Sequence, residues 1–293
     1  MNEYKVWLAK ILTSVALLLL IVAGLQAVKG VELGPAVSVI ELEGVILDST
    51  EVLSALYKEA YSEKTKAIVV RVDSPGGAVG PSEEIYAAIS KLKKVKPIVV
   101  SMGSVAASGG LYAALGASKV LASPGTQTGS IGVIMQLPNY SQIAEKVGFS
   151  MVTVKSGALK DTGNPFRPMT EGEHKFLEET TVKVHDAFIK AVVDGRGLSE
   201  EKVRAFADGR VILGSEAKEY GLIDGFGDIF DAAYEGLSLA GVKLEPGKLP
   251  ELAYANKKKG TLSKLIEGSS QLGATILREV AQVQYPHLAY LAR

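Results

Sequence analysis

Ile98-Val99-Val100-Ser101-Met102-Gly103-Ser104-Val105-Ala106-Ala107-Ser108-Gly109-Gly110-Leu111-Tyr112 is the stretch that decides how this chain folds. A β-branched run, Ile98 to Val100, leaves Pro97 as a strand. A cluster of small residues follows from Gly103 to Gly110, and Leu111 to Ala117 has the composition of a helix. A strand that turns into a helix through small residues leaves backbone N–H groups free at the helix start, with one short side chain beside them. Ser108 is the reactive member of that cluster. Tight packing alone would also account for a small residue there.

On either side the pattern repeats. Ala67 to Val72 is a nearly continuous β-branched run, as in a strand buried on both faces, and it stops at the turn Asp73-Ser74-Pro75-Gly76-Gly77. Pro81 to Lys94 follows as a helix with Ile85, Ile89 and Leu92 on one side; its Lys91, Lys93 and Lys94 read as a solvated face. Val37 to Ile46 reads as a strand with a kink or bulge at Gly44, and Glu51 to Tyr61 as a helix. Downstream, Lys119 to Ala122, Ile131 to Met135 and Ser150 to Lys155 read as strands, and Asn139 to Lys146 as a helix. Ser156 to Met169 is polar, carries Gly and Pro, and has no period, which is the composition of a functional loop. Thr170 and Glu173 form a capping box at the head of a long helix whose stripe is Leu177, Val184, Phe188 and Ala191. Ser199–Phe206, Ser215–Tyr220 and Asp228–Ala240 are further helices, with a strand at Arg210–Leu213. The alternation predicts an α/β domain.

The chain has 293 residues with 32 Lys+Arg and 32 Asp+Glu, so its formal net charge is zero and nothing suggests a nucleic-acid partner. It has no cysteine, which excludes disulfides, thiolate metal sites and a cysteine nucleophile. His174, His185 and His287 show no metal-ligand spacing, so neither a metal nor a cofactor is expected. Ile11 to Val28 is free of charge and, at 1.5 Å per residue, spans roughly 27 Å, about the thickness of a bilayer's hydrocarbon core. Lys5, Trp7 and Lys10 precede it, which predicts a single-pass anchor with a cytoplasmic N-terminus and an extracytoplasmic remainder; the alternative is a cleaved signal peptide, against which stand the length of the apolar run and Leu25-Gln26-Ala27, a poor small-x-small site. The expected organisation is an anchor over 1–28, a linker over 29–36, a catalytic domain over 37–240 and a C-terminal extension over 241–293. That extension carries an amphipathic helix built on Leu262, Leu265, Ile266, Leu277, Val280 and Val283.

A serine hydroxyl becomes a nucleophile when a neighbour accepts its proton. Lys160, in Gly157-Ala158-Leu159-Lys160-Asp161, is the candidate base, because enclosure in an apolar site can lower a lysine pKa by several units. Residue physics alone equally allows a solvent-exposed lysine paired with Asp161. An oxyanion needs two backbone donors, for which Gly76, Gly77 and Gly109 are available. Ser130, in Thr128-Gly129-Ser130, could orient the lysine amine.

Together, Asp73–Gly77, Ser101–Gly110, Thr128–Val133 and Gly157–Asp161 resemble the signal peptide peptidase A family over about Val37 to Ala240. These are membrane-anchored serine proteases of the Clp-protease/crotonase-like superfold, an α/β fold of repeated β-β-α units. The resemblance implies Ser108 as nucleophile, Lys160 as general base at the interval found in single-unit members, and Ser130 holding the lysine. It implies Gly77 and Gly109 as oxyanion donors, with Gly76 as the alternative to Gly77. It further implies cleavage of remnant signal peptides, a homo-oligomeric, octameric ring, and a complete dyad in each subunit. Other readings are a related protease that clips stomatin-type partners, a membrane-anchored scaffold without chemistry and, more remotely, an acyl-CoA crotonase.

Overall fold

The computed structural model describes residues 36–244, 248–256 and 289–291. The apolar run Ile11–Val28 and the C-terminal amphipathic helix lie outside the described residues.

Parallel strands form the centre. Strand β1 (Ala36–Glu43) leads through helix α1 (Thr50–Ala60) to β2 (Thr65–Ser74), and the short β3 (Gly76–Ala78) runs into α2 (Val79–Leu92). Then come β4 (Ile98–Ala106), α3 (Gly109–Ala114), β5 (Lys119–Ala122) and β6 (Gln127–Gly129). β1 pairs with β2 and β2 with β4, all in parallel, with Ile40 opposite Val70 and Val70 opposite Val100. Alternation with period two sends each strand's side chains to both faces. Ile40, Ile68, Val70, Ile98 and Val100 pack under the helices on one face, while Val37, Val39, Ala67, Val69 and Val99 meet the other. Burial on both faces explains why β2 and β4 are apolar runs rather than alternating ones.

After β6 the chain leaves the body as an arm that contains α4 (Ser141–Lys146). It returns as the long α5 (Glu171–Arg196), followed by α6 (Glu200–Arg204), β7 (Val211–Leu213), α7 (Gly214–Tyr220), β8 (Gly225–Phe226) and α8 (Ile229–Leu239). α5 opens on the expected capping box, Thr170 with Glu173, and ends at Gly197 in the left-handed conformation. α8 closes the second face of the sheet, where a Cβ on Gly236 would stand 2.9 Å from that of Ala67. β9 (Glu251–Tyr254) pairs with β1, so the sheet continues past residue 240, the expected edge of the catalytic domain. β10 (Ala289–Leu291) adds to β3 in antiparallel fashion.

Two expected strands are absent. Ile131–Met135 is not a strand, because the sheet continues through β6 and β7 and the chain turns away at Ser130. Ser150–Lys155 is irregular and wholly exposed: among the described residues its β-branched side chains have no strand beside them to complete a ladder. Of the kink or bulge expected at Gly44, the kink is found: Gly44 sits at the strand exit with φ +70°.

Candidate active site

Ser108 lies between β4 and α3 at φ +53° and ψ −119°. It and Ser130, at φ +50°, are the non-glycine residues with positive φ among those described. A non-glycine residue in such a region costs on the order of 1–3 kcal/mol, so its surroundings must hold it there. Here they do. The Ser108 N–H donates to the Gly129 carbonyl at 2.9 Å, the Ala107 N–H to the Ser74 carbonyl at 3.1 Å, and the Tyr112 N–H to the Ser108 carbonyl at 2.8 Å. The Ser130 N–H donates to the Arg210 carbonyl at 2.7 Å, and Thr128 Oγ1 to the Ala106 carbonyl at 2.6 Å. The two serines that the sequence singles out are thereby pinned next to each other. Ser108 is fully buried, and its Oγ has no hydrogen-bond partner.

The glycines separate by what their N–H groups already do. The Gly76 N–H donates to Ser74 Oγ at 3.1 Å, and Ser74 Oγ donates to the Gly44 carbonyl at 2.6 Å. Gly76 is thus engaged. A Cβ on Gly77 would stand 2.1 Å from the Ile46 carbonyl oxygen, so this position must be glycine. A Cβ on Gly109 would stand 3.1 Å from the Gly77 nitrogen, which puts these two backbones side by side next to Ser108. Gly109 is the first residue of α3, where an N–H has no partner inside the helix. The outer edge of this glycine strand accepts an extended segment: β10 lies along it with Tyr290 opposite Gly77.

Lys160 is placed differently. It sits in the arm in a tight turn, its N–H donating to the Gly157 carbonyl at 3.1 Å, and its side chain is exposed. Since Ser108 Oγ has no partner, no Ser108–Lys160 hydrogen bond exists within the chain. Nor does Lys160 pair with Asp161. That carboxylate is taken by Arg167 and Lys155, which hold it well below the usual carboxylate range. Arg167 also bridges to Glu173, whose pKa falls to about 2, chiefly through Arg167 and then through the backbone N–H of Thr170. The sequence reading missed Arg167 as the tie between the lysine loop and α5. The capping-box glutamate was the visible half of that tie.

The arm packs on itself through Tyr140, Phe149 and Phe166 and leaves Val152 and Val154 89% and 96% exposed. Beside it, a groove of about 460 Å³ is lined by Met135, Leu137, Met169, His174, Leu177 and Val182. His174 thus lines a groove rather than joining the serine. Among the described residues no group of His, Cys, Asp and Glu is arranged to hold a metal ion.

The family model of peptidase family S49 matches residues 90–243, more than half of the chain. The chain belongs to peptidase family S49. As a member of that family it is a serine peptidase of the signal peptide peptidase A kind. The Clp protease family model matches residues 40–128, in accord with the expected Clp-like α/β fold. A putative protease of Synechocystis is 40% identical over 235 residues, covering 80% of this chain and 83% of its own length. A putative signal peptide peptidase SppA of Enterococcus faecium is 40% identical over 181 residues, 61% of this chain and 53% of its own. The chloroplastic serine protease SPPA of Arabidopsis thaliana is 31% identical over 217 residues, 74% of this chain and 31% of its own. Among solved structures, a point mutant of ClpP1 from Listeria monocytogenes aligns with 66% of this S49 peptidase and 93% of its own chain, at TM-score 0.45 and 19% identity.

Proposed function

We propose that this S49 peptidase is a membrane-anchored endopeptidase that cleaves apolar peptides, remnant signal peptides among them, with Ser108 as nucleophile and Lys160 as general base. The observation that carries the reading is Ser108 itself, a strained, buried serine whose hydroxyl has no hydrogen-bond partner. A residue serving only to pack would have no reason to keep either cost. β10 on β3 supports an extended peptide as the substrate, because it occupies the edge that a scissile strand would use. The name of the Enterococcus relative supports the substrate class. The uncharged Ile11–Val28 supports the anchor.

In the reaction, Ser108 Oγ bonds to the scissile carbonyl carbon while its proton passes to the lysine amine. The N–H groups of Gly77 and Gly109 stabilise the oxyanion. Collapse breaks the C–N bond, the lysine returns its proton to the leaving amine, and water then releases the acyl group by the same route. Ser130, pinned beside Ser108, orients the amine.

Lys160 is exposed in the single chain, so the base arrives from a neighbouring copy in a homo-oligomer. Burial against that copy would supply the apolar enclosure that a neutral lysine needs. Ser108→Ala and Lys160→Ala should each abolish cleavage of an apolar peptide, and mixed oligomers of the two variants should recover part of it. Substantial activity in either variant alone would sink the dyad. Dead variants with no recovery on mixing would return the base to the same chain.

A further inference from the structure

The lysines of this neutral chain are not spread evenly, and their position relative to Ala36 has a consequence. β1, β2 and β4 are parallel, so their starts share one end of the domain and their exits share the other, where Ser108 sits. The exits and the helix starts beside them carry Glu43, Asp48, Glu51, Glu83 and Glu84. Lys64 and Lys66 flank the start of β2, while Lys91 and Lys94 lie at the end of α2; all four are exposed. Lys96 Nζ reaches back to the Glu59 carbonyl at 2.9 Å, joining the exit loops of α1 and α2 into one surface. Three acids lie at this end, Glu59, Glu63 and the exposed Glu251 opposite Ala36, fewer than the lysines. Glu59 accepts from Thr65 Oγ1 at 2.6 Å, and Glu63 stands among the lysines. Tyr61 and Val95 are exposed in the same patch, and Lys91 lies over the Tyr57 ring.

Ala36, where the chain joins the sheet, is paired with Thr65, between Lys64 and Lys66. Only residues 29–35 separate it from the uncharged run ending at Val28. Seven residues reach at most about 25 Å when fully extended, less than the roughly 45 Å breadth expected of a domain this size. On the reading that Ile11–Val28 is an anchor, the tether can bring this end of the domain to the bilayer but not the opposite end.

We propose that the face formed by Lys64, Lys66, Lys91 and Lys94 with Tyr61 and Val95 docks on the anionic headgroups of the membrane, and that this docking sets the orientation of the catalytic domain. Exposed lysines beside a tyrosine and a valine suit an anionic interface: the amines meet phosphates while the tyrosine ring sits at headgroup depth. β4 rises about 3.3 Å per residue, so the serine end stands about 30 Å above that surface. Its substrates are then segments that have left the bilayer, rather than helices still inside it. This deepens the membrane reading and rests on it.

The absence of cysteine allows a direct test. Full-length Ser108→Ala protein carries a single reporter at Val95→Cys or, as a control at the opposite end, at Leu47→Cys. Both sites are exposed, at 50% and 58%. The protein is reconstituted into phosphatidylcholine vesicles with or without phosphatidylglycerol, and a quencher fixed to lipid headgroups reports proximity. The expected result is several-fold stronger quenching at Val95 than at Leu47 in phosphatidylglycerol vesicles. Quenching at Val95 should fall at high salt and in a Lys64→Glu/Lys66→Glu/Lys94→Glu variant, because the attraction is screened beyond a Debye length. Equal quenching at the two positions, or quenching at Val95 indifferent to lipid charge and salt, overturns the proposal. Quenching lost to protein-concentration-dependent shielding also overturns it, by covering the face with a second copy. Flotation with phosphatidylcholine alone reports the anchor separately. A chain that floats there without charge-dependent approach of Val95 loses the face and keeps the anchor. One that binds only phosphatidylglycerol vesicles, in a salt-sensitive way, loses the anchor and keeps the face.

Discussion

Replacing Ser108, the proposed nucleophile, should make this peptidase more stable, not less. Ser108 is buried with a hydroxyl that bonds to nothing, and a buried unpaired polar group costs about 1–3 kcal/mol. Ser108→Ala removes the hydroxyl and keeps the backbone at φ +53°, so about 1–2 kcal/mol of stability should be gained. Ser108→Gly also relieves the positive φ, worth about 1–2 kcal/mol, and gives back up to about 1 kcal/mol because glycine is freer in the unfolded chain. The glycine variant should therefore equal or slightly exceed the alanine variant. For a domain of this size each kcal/mol moves Tm by about 2–4 °C, so a rise of roughly 2–8 °C is expected for either. Urea unfolding followed by circular dichroism and scanning calorimetry, at one matched protein concentration, would measure it. A loss of more than about 1 kcal/mol in Ser108→Ala would refute the reasoning, because it would mean that the hydroxyl is held by a structural hydrogen bond. A gain for alanine with a marked loss for glycine would show that the backbone at Ser108 is not strained.

Gly109→Ala pushes a methyl to 2.5 Å from Ser82 Oγ and 3.1 Å from the Gly77 nitrogen, so kcat should fall by about 10²–10³-fold with a near-native circular dichroism spectrum, whereas unchanged kcat would remove Gly109 from the oxyanion pair. Gly77→Ala meets the Ile46 carbonyl backbone at 2.1 Å and should cost several kcal/mol of stability in urea unfolding, which near wild-type stability would contradict. Glu173 has its pKa depressed from 4.5 to about 2 by Arg167, so its contribution is present above pH 4.5 and is lost as pH falls towards 2. Hydrogen exchange in the arm should rise across that window, and Glu173→Gln should show the faster exchange already at neutral pH.

The parts of the fold that were legible in the sequence are those whose signal is local. β2 and β4 declare themselves by β-branched runs, because burial on both faces demands apolar side chains at every position. The head of α5 is announced by Thr170 and Glu173, whose reciprocal bonds need nothing from the rest of the chain. β3 and β6 have three residues each and exist because of distant partners, so composition could not reveal them, whereas β7, equally short, was expected at Arg210–Leu213 and is found at Val211–Leu213. Ile131–Met135 and Ser150–Lys155 show the opposite failure: the first keeps only a single bridge residue, Ile134, and the second has no strand alongside among the described residues. In the candidate site, Ser108, Ser130 and the glycine turns were picked out by the joint resemblance of four motifs, since a small residue in a turn is explained equally well by packing at each of them. The choice between Gly76 and Gly77 was not, since it depends on which N–H the Ser74 hydroxyl occupies. Neither was the position of Lys160, which depends on how an arm of almost forty residues leaves the sheet.

The costs and the chemistry of this peptidase fall unevenly across its elements. The serine half of the site is built into the sheet, with the nucleophile strained and unpartnered and the adjacent glycine backbones held against it. Lys160 rides on an arm ordered by the Tyr140, Phe149 and Phe166 rings and by one ion network, Lys155 and Arg167 on Asp161 and Arg167 on Glu173, and the arm leaves Val152 and Val154 almost wholly exposed. An apolar arm in water is at a disadvantage that a neighbouring surface would relieve, and the same contact would enclose Lys160. Within the single chain the exposed Lys160 makes no hydrogen bond to Ser108. On the proposed Ser108–Lys160 dyad, a single chain with its arm free keeps the two groups apart, and the contact that buries the arm is the one that would complete the dyad.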